Sequence, residues 1–366
     1  MLNNKTIGVV VPAYNEETQI GMVIETMPDY VDRIVIVNDA SPDKTLEVVK
    51  AYLDKEQGKF KNEKIGYLKI EKTLYNEADL YLEEIDKEEI KRFVPSEIIN
   101  KEPENDRIIL INQLKNGGVG SAIARGYKWC KDNNIECTAV MAGDGQMDPS
   151  ELIDICSPVV DEGIDYVKGN RLIHRSARHL IPRTRYLGNS VLSIMTKMAS
   201  GYWRVSDTQT GYTAISLKAL KKIDVAAIYK SYGMPNDMLV KLNMAKCTLK
   251  EVEIKPIYRV GEQSKMKIFK LIPRVSWLLF KAFFKRIWTR YFKRDFHPLF
   301  LLYWMSMILF AISIPFLVEI LMNLFVSGSV TANSILLIYI FLVISGFQSL
   351  LFAMWMDIQD NDRLQN

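Results

Sequence analysis

At 366 residues the chain has room for one large or two medium domains, and its 48% hydrophobic content is ordinary on average but unevenly spread. A formal net charge of +4 is small for this length and argues against a nucleic-acid partner. The four cysteines, Cys130, Cys137, Cys156 and Cys247, lack paired metal-ligand spacing and are expected as free, mostly buried thiols in a reducing compartment.

Residues 6–13 read as a continuous apolar strand that ends in PAYNEE, and helical spacing follows over 18–27. The apolar run is too short for a signal peptide and ends in acids. Residues 33–38 form a second apolar strand, closed by DASPD, with helical spacing again over 44–53. Residues 54–106 are highly charged and read as a solvated helical excursion on the domain surface. Two more strands are expected at 107–113 and 137–142, with a helix from about 119 to 133 between them. Strands alternating with helices predict a doubly wound α/β domain with a mostly parallel sheet. Ligands of such sheets collect at the carboxyl ends of the strands.

The strand at 137–142 runs into AGDGQMDPSE, residues 142–151. Asp144 and Gln146 therefore stand at a strand end, two residues apart, with Asp148 close behind. Mg²⁺ and Mn²⁺ take oxygen ligands and often only one or two from protein, substrate phosphates and water supplying the rest, so this sparse pair suits a metal that clamps a diphosphate. The same residues would also make an ordinary Asp- and Gly-rich turn. The first strand lacks GxGxxG, and residues 116–122 lack the LysSer or LysThr of a P-loop, which disfavours a dinucleotide oxidoreductase and a P-loop ATPase.

Farther along, residues 265–294 interleave basic residues with Trp277, Phe280, Phe283, Phe284, Trp288, Tyr291 and Phe292, predicting amphipathic helices at a headgroup layer with a break near Pro273. Two apolar stretches follow, about 299–326 and 334–356, each longer than the roughly 20 residues that cross a bilayer. Glu319 costs about 3 kcal/mol at a membrane centre, and its Leu, Ile, Val and Phe neighbours outweigh it at about 0.3 to 0.6 kcal/mol each. It is expected to face the helix bundle or a partner subunit. The positive charge crowded into 281–294 predicts a cytosolic body, a two-helix hairpin and a short cytosolic tail at 358–366. That makes an integral membrane protein, of the plasma membrane if the source is prokaryotic.

Four ordered segments, VVVPAYNEE (9–17), VNDASPDKT (37–45), KNGGVGSAIARGY (115–127) and AGDGQMDP (142–149), resemble the inverting family-2 glycosyltransferases of GT-A fold. With KGNR (168–171), PRTRYLGN (182–189), DTQTGYTAIS (207–216), YRVGEQSK (258–265), basic amphipathic helices and a membrane hairpin, the chain is more closely similar to polyprenyl-phosphate glycosyltransferases, the group that includes dolichyl-phosphate mannose synthases. The resemblance covers nearly everything except 54–106. It implies a GT-A domain over 1–264, amphipathic juxtamembrane helices over 265–297 and two transmembrane helices within 298–357.

The resemblance implies that Pro12, Ala13, Tyr14 and Glu16 line a nucleotide pocket, that Asp39 contacts base or ribose, and that Lys115 and Gly120 lie beside it. Asp144 and Gln146 match the metal-holding DxQ, while Ala142 stands where many relatives carry an acid. Arg171 and Arg185 would face acceptor or donor phosphates, and Asp207 would orient the site or the sugar. The segment 261–265 would close over the donor, with Arg259 and Lys265 as further phosphate donors of charge. Asp237 lies where hydroxyl-directed members carry a catalytic base. Its other readings are a positioning group or a helix-start acid.

The expected function is sugar transfer with inversion from a nucleotide sugar, UDP-sugar favoured over GDP-mannose, to an undecaprenyl or dolichyl phosphate, with Mg²⁺ or Mn²⁺. The expected partners are donor, lipid phosphate and bilayer, with homo-oligomers forming through the hairpin. Two alternatives are a related enzyme with a hydroxyl acceptor and Asp237 as base, and a non-catalytic nucleotide-sugar-binding scaffold in the membrane.

Overall fold

A computed structural model describes residues 1–56, 72–180, 183–257, 268–325 and 330–365, with backbone alone at 178, 183–189, 191 and 268–271. In chain order the strands are β1 (Ile7–Ala13), β2 (Arg33–Asn38), β3 (Ser96–Ile98), β4 (Ile108–Gln113), β5 (Cys137–Val140), β6 (Tyr166–Asn170), β7 (Thr213–Ser216) and β8 (Leu249–Glu253). The helices are α1 (Ile20–Glu25), α2 (Thr45–Glu56), α3 (Glu77–Glu89), α4 (Val119–Asp132), α5 (Leu152–Asp161), α6 (Ala177–Leu180), α7 (Arg183–Ser200), α8 (Leu217–Lys222), α9 (Met234–Met244), α10 (Ile268–Trp288), α11 (Pro298–Phe325) and α12 (Asn333–Asp362).

The strands form one sheet in the order β3-β4-β2-β1-β5-β7-β6-β8. β1, β2 and β4 are almost wholly buried runs of Val and Ile, as expected for strands covered on both faces, and they pair in parallel, as do β1 and β5. One apolar layer joins the sheet to α4, α8 and α9, and a second joins it to α1, α2 and α5. The four strands read from the sequence are present. β7 was not foreseen, and it enters antiparallel between β5 and β6. Its pairing of Thr213 with Val140 sends residues 207–212 past the carboxyl end of β5, to where β6 also ends. That reversal assembles the site described below.

The charged excursion is less peripheral than expected. Ser96–Ile98 adds an antiparallel edge strand to β4, and buried Glu89 at the end of α3 pairs with Lys131 at 3.1 Å on α4.

The expected break near Pro273 does not occur: α10 runs through it, and a π-helical turn over Thr289–Arg294 follows. One face of α10, with Val275, Leu279 and Ala282, packs on α7 and α9, while Trp277 and Phe280 are exposed. The most apolar 18-residue stretches of α11 and α12 have mean hydropathies of 2.2 and 2.4, yet only 6% and 11% of those stretches are buried. Core helices of a water-soluble domain would be mostly covered, so these two helices are built to meet lipid. The two pack against each other as a hairpin. Glu319 is exposed on α11, so the hairpin does not shelter it.

Residues 358–365 of the expected tail at 358–366 are docked on the catalytic domain. α12 continues to Asp362, Leu249 of β8 donates its N–H to the Leu364 carbonyl at 2.8 Å, and the Arg204 N–H donates to Gln365 Oε1 at 2.7 Å. Both ends of the hairpin therefore lie on the same side as the catalytic domain.

Candidate active site

The loops after β1, β2 and β5 converge. The Asp39 N–H donates to the Ala13 carbonyl, the Asn15 N–H to Ser41 Oγ at 3.1 Å, and the Glu16 N–H to Thr45 Oγ1 at 2.9 Å. Asn15 and Ala40 both hold positive φ, at 59° and 52°, a conformation that costs energy at Ala40 and persists because the two loops brace each other. Pro12 is half-buried, Ala13 and Glu16 are buried, and Tyr14 is exposed at the rim. A Cβ on Gly143 would sit 3.2 Å from the Pro12 carbonyl and 3.6 Å from Glu16 Cγ, so the Asp144 turn lies directly against the end of β1.

Asp39 is buried and its carboxylate takes the N–H groups of Gly117 at 2.6 Å and Gly118 at 2.8 Å. Burial raises its pKa, and those two hydrogen bonds only partly offset it. The glycine-rich loop at the N-terminus of α4 is thus bound to an internal carboxylate. The missing side chain of Gly120 has a structural reason: a Cβ there would come within 2.0 Å of the Tyr229 carbonyl, and the Gly120 N–H donates to Lys230. Lys115 is exposed.

Asp144 and Gln146 are half-buried, and the Gln146 N–H donates to Asp144 Oδ1 at 3.0 Å. Burial raises the Asp144 pKa, against the hydrogen bond from Gln146. Among the described residues no cationic side chain pairs with it, and no three His, Cys, Asp or Glu side chains gather closely enough to hold a metal by themselves. A desolvated carboxylate with a glutamine two residues on is nevertheless a fitting donor set for Mg²⁺ or Mn²⁺ with diphosphate and water completing the shell. Asp148 has a different task. It caps the turn at Pro149–Glu151 through the Ser150 N–H at 2.9 Å and pairs with Lys255 at 3.1 Å, and Tyr212 donates to its carbonyl. Ala142, the departure from the family pattern, is half-buried and donates its N–H to Met147 Sδ.

At the ends of β6 and β7, Arg171 forms a two-pronged pair with Asp207, Nε to Oδ2 at 2.8 Å and Nη2 to Oδ1 at 3.1 Å. Asp207 is buried, which by itself would raise its pKa; the charge and hydrogen bonds of Arg171, with the charge of Lys168, hold it below the ordinary value. Asp207 also accepts from the N–H groups of Gln209 and Thr210, so it shapes the turn that passes β5. Glu251 on β8 escaped the sequence reading. It accepts from the Ser206 N–H and Oγ, the Asp207 N–H and Asn170 Nδ2, and so fixes the Arg171–Asp207 pair from below. Only pairing of β8 with β6 brings it there. Lys168 is fully buried, and desolvation lowers its pKa to about 8.

Asp237 sits in the first turn of α9, accepting from the Tyr229 N–H at 2.8 Å and paired with Lys241 one turn on. Arg185 lies in the first turn of α7, with its side chain outside the described residues; Arg259 and Lys265 also lie outside them.

The family model described as Glycosyl transferase family 2 matches residues 8–73 and 88–224, and its gap falls in the middle of the charged excursion. A UDP-N-acetylglucosamine–dolichyl-phosphate N-acetylglucosaminyltransferase of Methanococcus voltae is 28% identical over 256 residues, covering 70% of this chain and 87% of that protein. A dolichyl-phosphate beta-glucosyltransferase of Trichomonas vaginalis is 24% identical over 304 residues, covering 77% and 75%. Among solved structures, glucosyl-3-phosphoglycerate synthase of Mycobacterium tuberculosis, crystallised with Mn²⁺ and UDP, aligns over 77% of this chain and 80% of its own at 14% identity and a TM-score of 0.47. With the family model matched over more than half its length, the chain belongs to glycosyl transferase family 2.

Proposed function

We propose that the chain transfers a sugar, with inversion, from a nucleotide sugar to a polyprenyl phosphate such as dolichyl or undecaprenyl phosphate, at the cytosolic face of a membrane. The observation that carries this reading is the placement of the Asp144 turn after β5 and of the Arg171–Asp207 pair after β6 and before β7 at the same edge of the sheet, in a domain followed by two long, apolar, largely uncovered helices. The curated relatives named for dolichyl phosphate support the acceptor, and the one named for UDP-N-acetylglucosamine supports a UDP-sugar donor.

A divalent cation held by Asp144 and Gln146 would neutralise charge on the departing diphosphate. The chain's own residues do the rest. Arg171, oriented by Asp207, presents a fixed positive charge near the reacting centre, and Glu251 holds the loop that carries its partner. Arg185, Arg259 and Lys265 remain further candidates for phosphate contacts on sequence grounds. A lipid phosphate is largely dianionic at neutral pH, its second pKa being about 6, and attacks without a general base.

The hydroxyl-acceptor alternative needs Asp237 as a base. Its engagement by Lys241 and the Tyr229 N–H supports a positioning role instead.

The test uses the full chain in nanodiscs with Mn²⁺ or Mg²⁺ and separately labelled UDP-sugars and GDP-mannose. Label should enter the lipid extract with a polyprenyl phosphate and not with the matching polyprenol. Transfer to the alcohol would favour the hydroxyl reading, and no nucleotide release from any donor would favour the non-catalytic one.

A further inference from the structure

An apolar cavity of about 250 Å³ lies where the catalytic domain meets the hairpin. Its walls come from four helices, among them Met195 and Met198 on α7, Phe284 on α10, Tyr303 and Met307 on α11, and Leu350 on α12. Polar surface is almost absent from it, so it has little to offer a water molecule and suits hydrocarbon.

Two features tie the cavity to the site and to the bilayer. First, α7 is shared. Ser193 donates to the Ser206 carbonyl and lies 3.2 Å from Thr208 Oγ1, while Thr196 donates to Asn236. One side of α7 thus touches the loop that holds Asp207, and Met195 and Met198 on the same helix turn line the cavity. Second, aromatic rings form a continuous track along α10 and onto the membrane helix. Trp277 stacks on Phe280 at 5.5 Å, Phe280 meets Phe284 at 4.8 Å, and Phe284 meets Trp304 of α11 at 6.2 Å. Trp277, Phe280 and Trp304 are all exposed, so the track borders the lipid-facing surface.

We infer that this cavity receives an internal isoprenoid stretch of the acceptor lipid, a few units behind its phosphate, and makes the enzyme selective for chain length. The inference rests on the proposed polyprenyl-phosphate acceptor. Flat ring faces and adaptable methionines match a methyl-branched, unsaturated chain. The cavity is too small for a whole polyprenol, so the remainder continues along the aromatic track into the bilayer.

Two measurements test it. The first compares kcat/KM for geranyl and geranylgeranyl phosphates in the wild type and in Met307→Trp, which fills the cavity from the membrane side. The variant should lose about tenfold on the longer acceptor, the scale of a lost apolar pocket contact, and change the shorter one by less than about twofold. Equal losses on both, or none on either, would overturn the inference.

The second needs no turnover. All four native cysteines are buried, so Met307→Cys gives a distinct labelling site for an apolar maleimide in phosphatidylcholine nanodiscs. Geranylgeranyl phosphate should slow labelling and geranyl phosphate should not. Labelling that is already slow in the nanodisc and unchanged by either prenyl phosphate would assign the cavity to phospholipid chains. Protection without turnover on any acceptor would keep the cavity and sink the proposed reaction; turnover without protection would do the reverse.

Discussion

Arg286 of α10 and Asp357 of α12 form a fully buried two-pronged ion pair, Nη1 to Oδ1 and Nη2 to Oδ2 each at 2.8 Å. The same guanidinium donates Nε–H to the Ala199 carbonyl at 2.9 Å and Nη2–H to the Met198 carbonyl at 3.0 Å, closing the end of α7. Burial alone would lower the Arg286 pKa, and the charge and hydrogen bonds of Asp357 raise it overall, so Arg286 stays a cation. Around it, Arg290 bonds Asn361 and Asp360, and Asn361 donates to Tyr291. This polar latch joins the returning membrane helix, the juxtamembrane helix and the helix that touches the Asp207 loop. Arginine suits the role because its planar fork engages a carboxylate and two carbonyls at once.

Asp357→Asn or Arg286→Met should destabilise the protein by about 3–5 kcal/mol, because each leaves a buried charge without its partner. The double variant Arg286→Met/Asp357→Leu should recover much of that loss. Denaturant unfolding in detergent measures both. A double variant no more stable than either single one would mean that the hydrogen bonds to α7, rather than the ion pair, hold the latch.

Asp144→Asn should remove metal dependence while leaving the metal-free protein as stable or more so. The folded pKa of Asp144 is raised, so ionising it costs stability as pH rises from the unfolded carboxylate value of about 3.9 through the folded one. Bound metal reverses that cost, and its stabilising effect should grow with pH over the same window, then level off. With UDP present and metal at a hundred times its Kd, the gain should be about 2.7 kcal/mol in the wild type and absent in the variant. Thermal shifts with and without Mn²⁺ check this.

Asp207→Asn should cost about 3 kcal/mol, the low end for a broken buried pair, since Arg171 is a quarter exposed. The folded pKa of Asp207 lies below the unfolded one, so its stabilisation is present above about pH 4 and disappears as pH falls through the folded value. The variant should lose that acid-side dependence. Arg171→Lys should keep part of the stability and lose most of the activity, because an ammonium cannot reproduce the fork. Acid titration of unfolding and kcat/KM measurements separate the two effects.

Asp237→Asn should retain near-full kcat on a lipid phosphate. Its carboxylate is occupied by Lys241 and the Tyr229 N–H, and the amide can still accept from that N–H. A kcat loss of about a hundredfold or more at unchanged stability would instead identify it as a general base.

The parallel half of the sheet could be read directly, since β1, β2 and β4 are buried on both faces and announce themselves as unbroken Val and Ile runs. β7 and β8 carry shorter and more polar segments that resemble loops, and only their partners make them strands. The motif residues Asp144, Arg171 and Asp207 were visible one by one; that Arg171 serves Asp207 was not, because the two are 36 residues apart and meet only through strand pairing. Asp39 illustrates the reverse case. Its place at a strand end follows from the sequence, but its commitment to Gly117 and Gly118 depends on how α4 approaches β2.

By itself, then, the sequence determined the alternating α/β core, the turn carrying Asp144 and Gln146, and two lipid-length helices, because hydrophobic period and run length are local properties. Tertiary structure alone decided that the last residues are a docked clasp rather than a loose tail. Asp357, Asn361 and Gln365 read as a polar terminus, and become buried only where Arg286, Arg290 and the Arg204 backbone supply the hydrogen bonds that offset their desolvation.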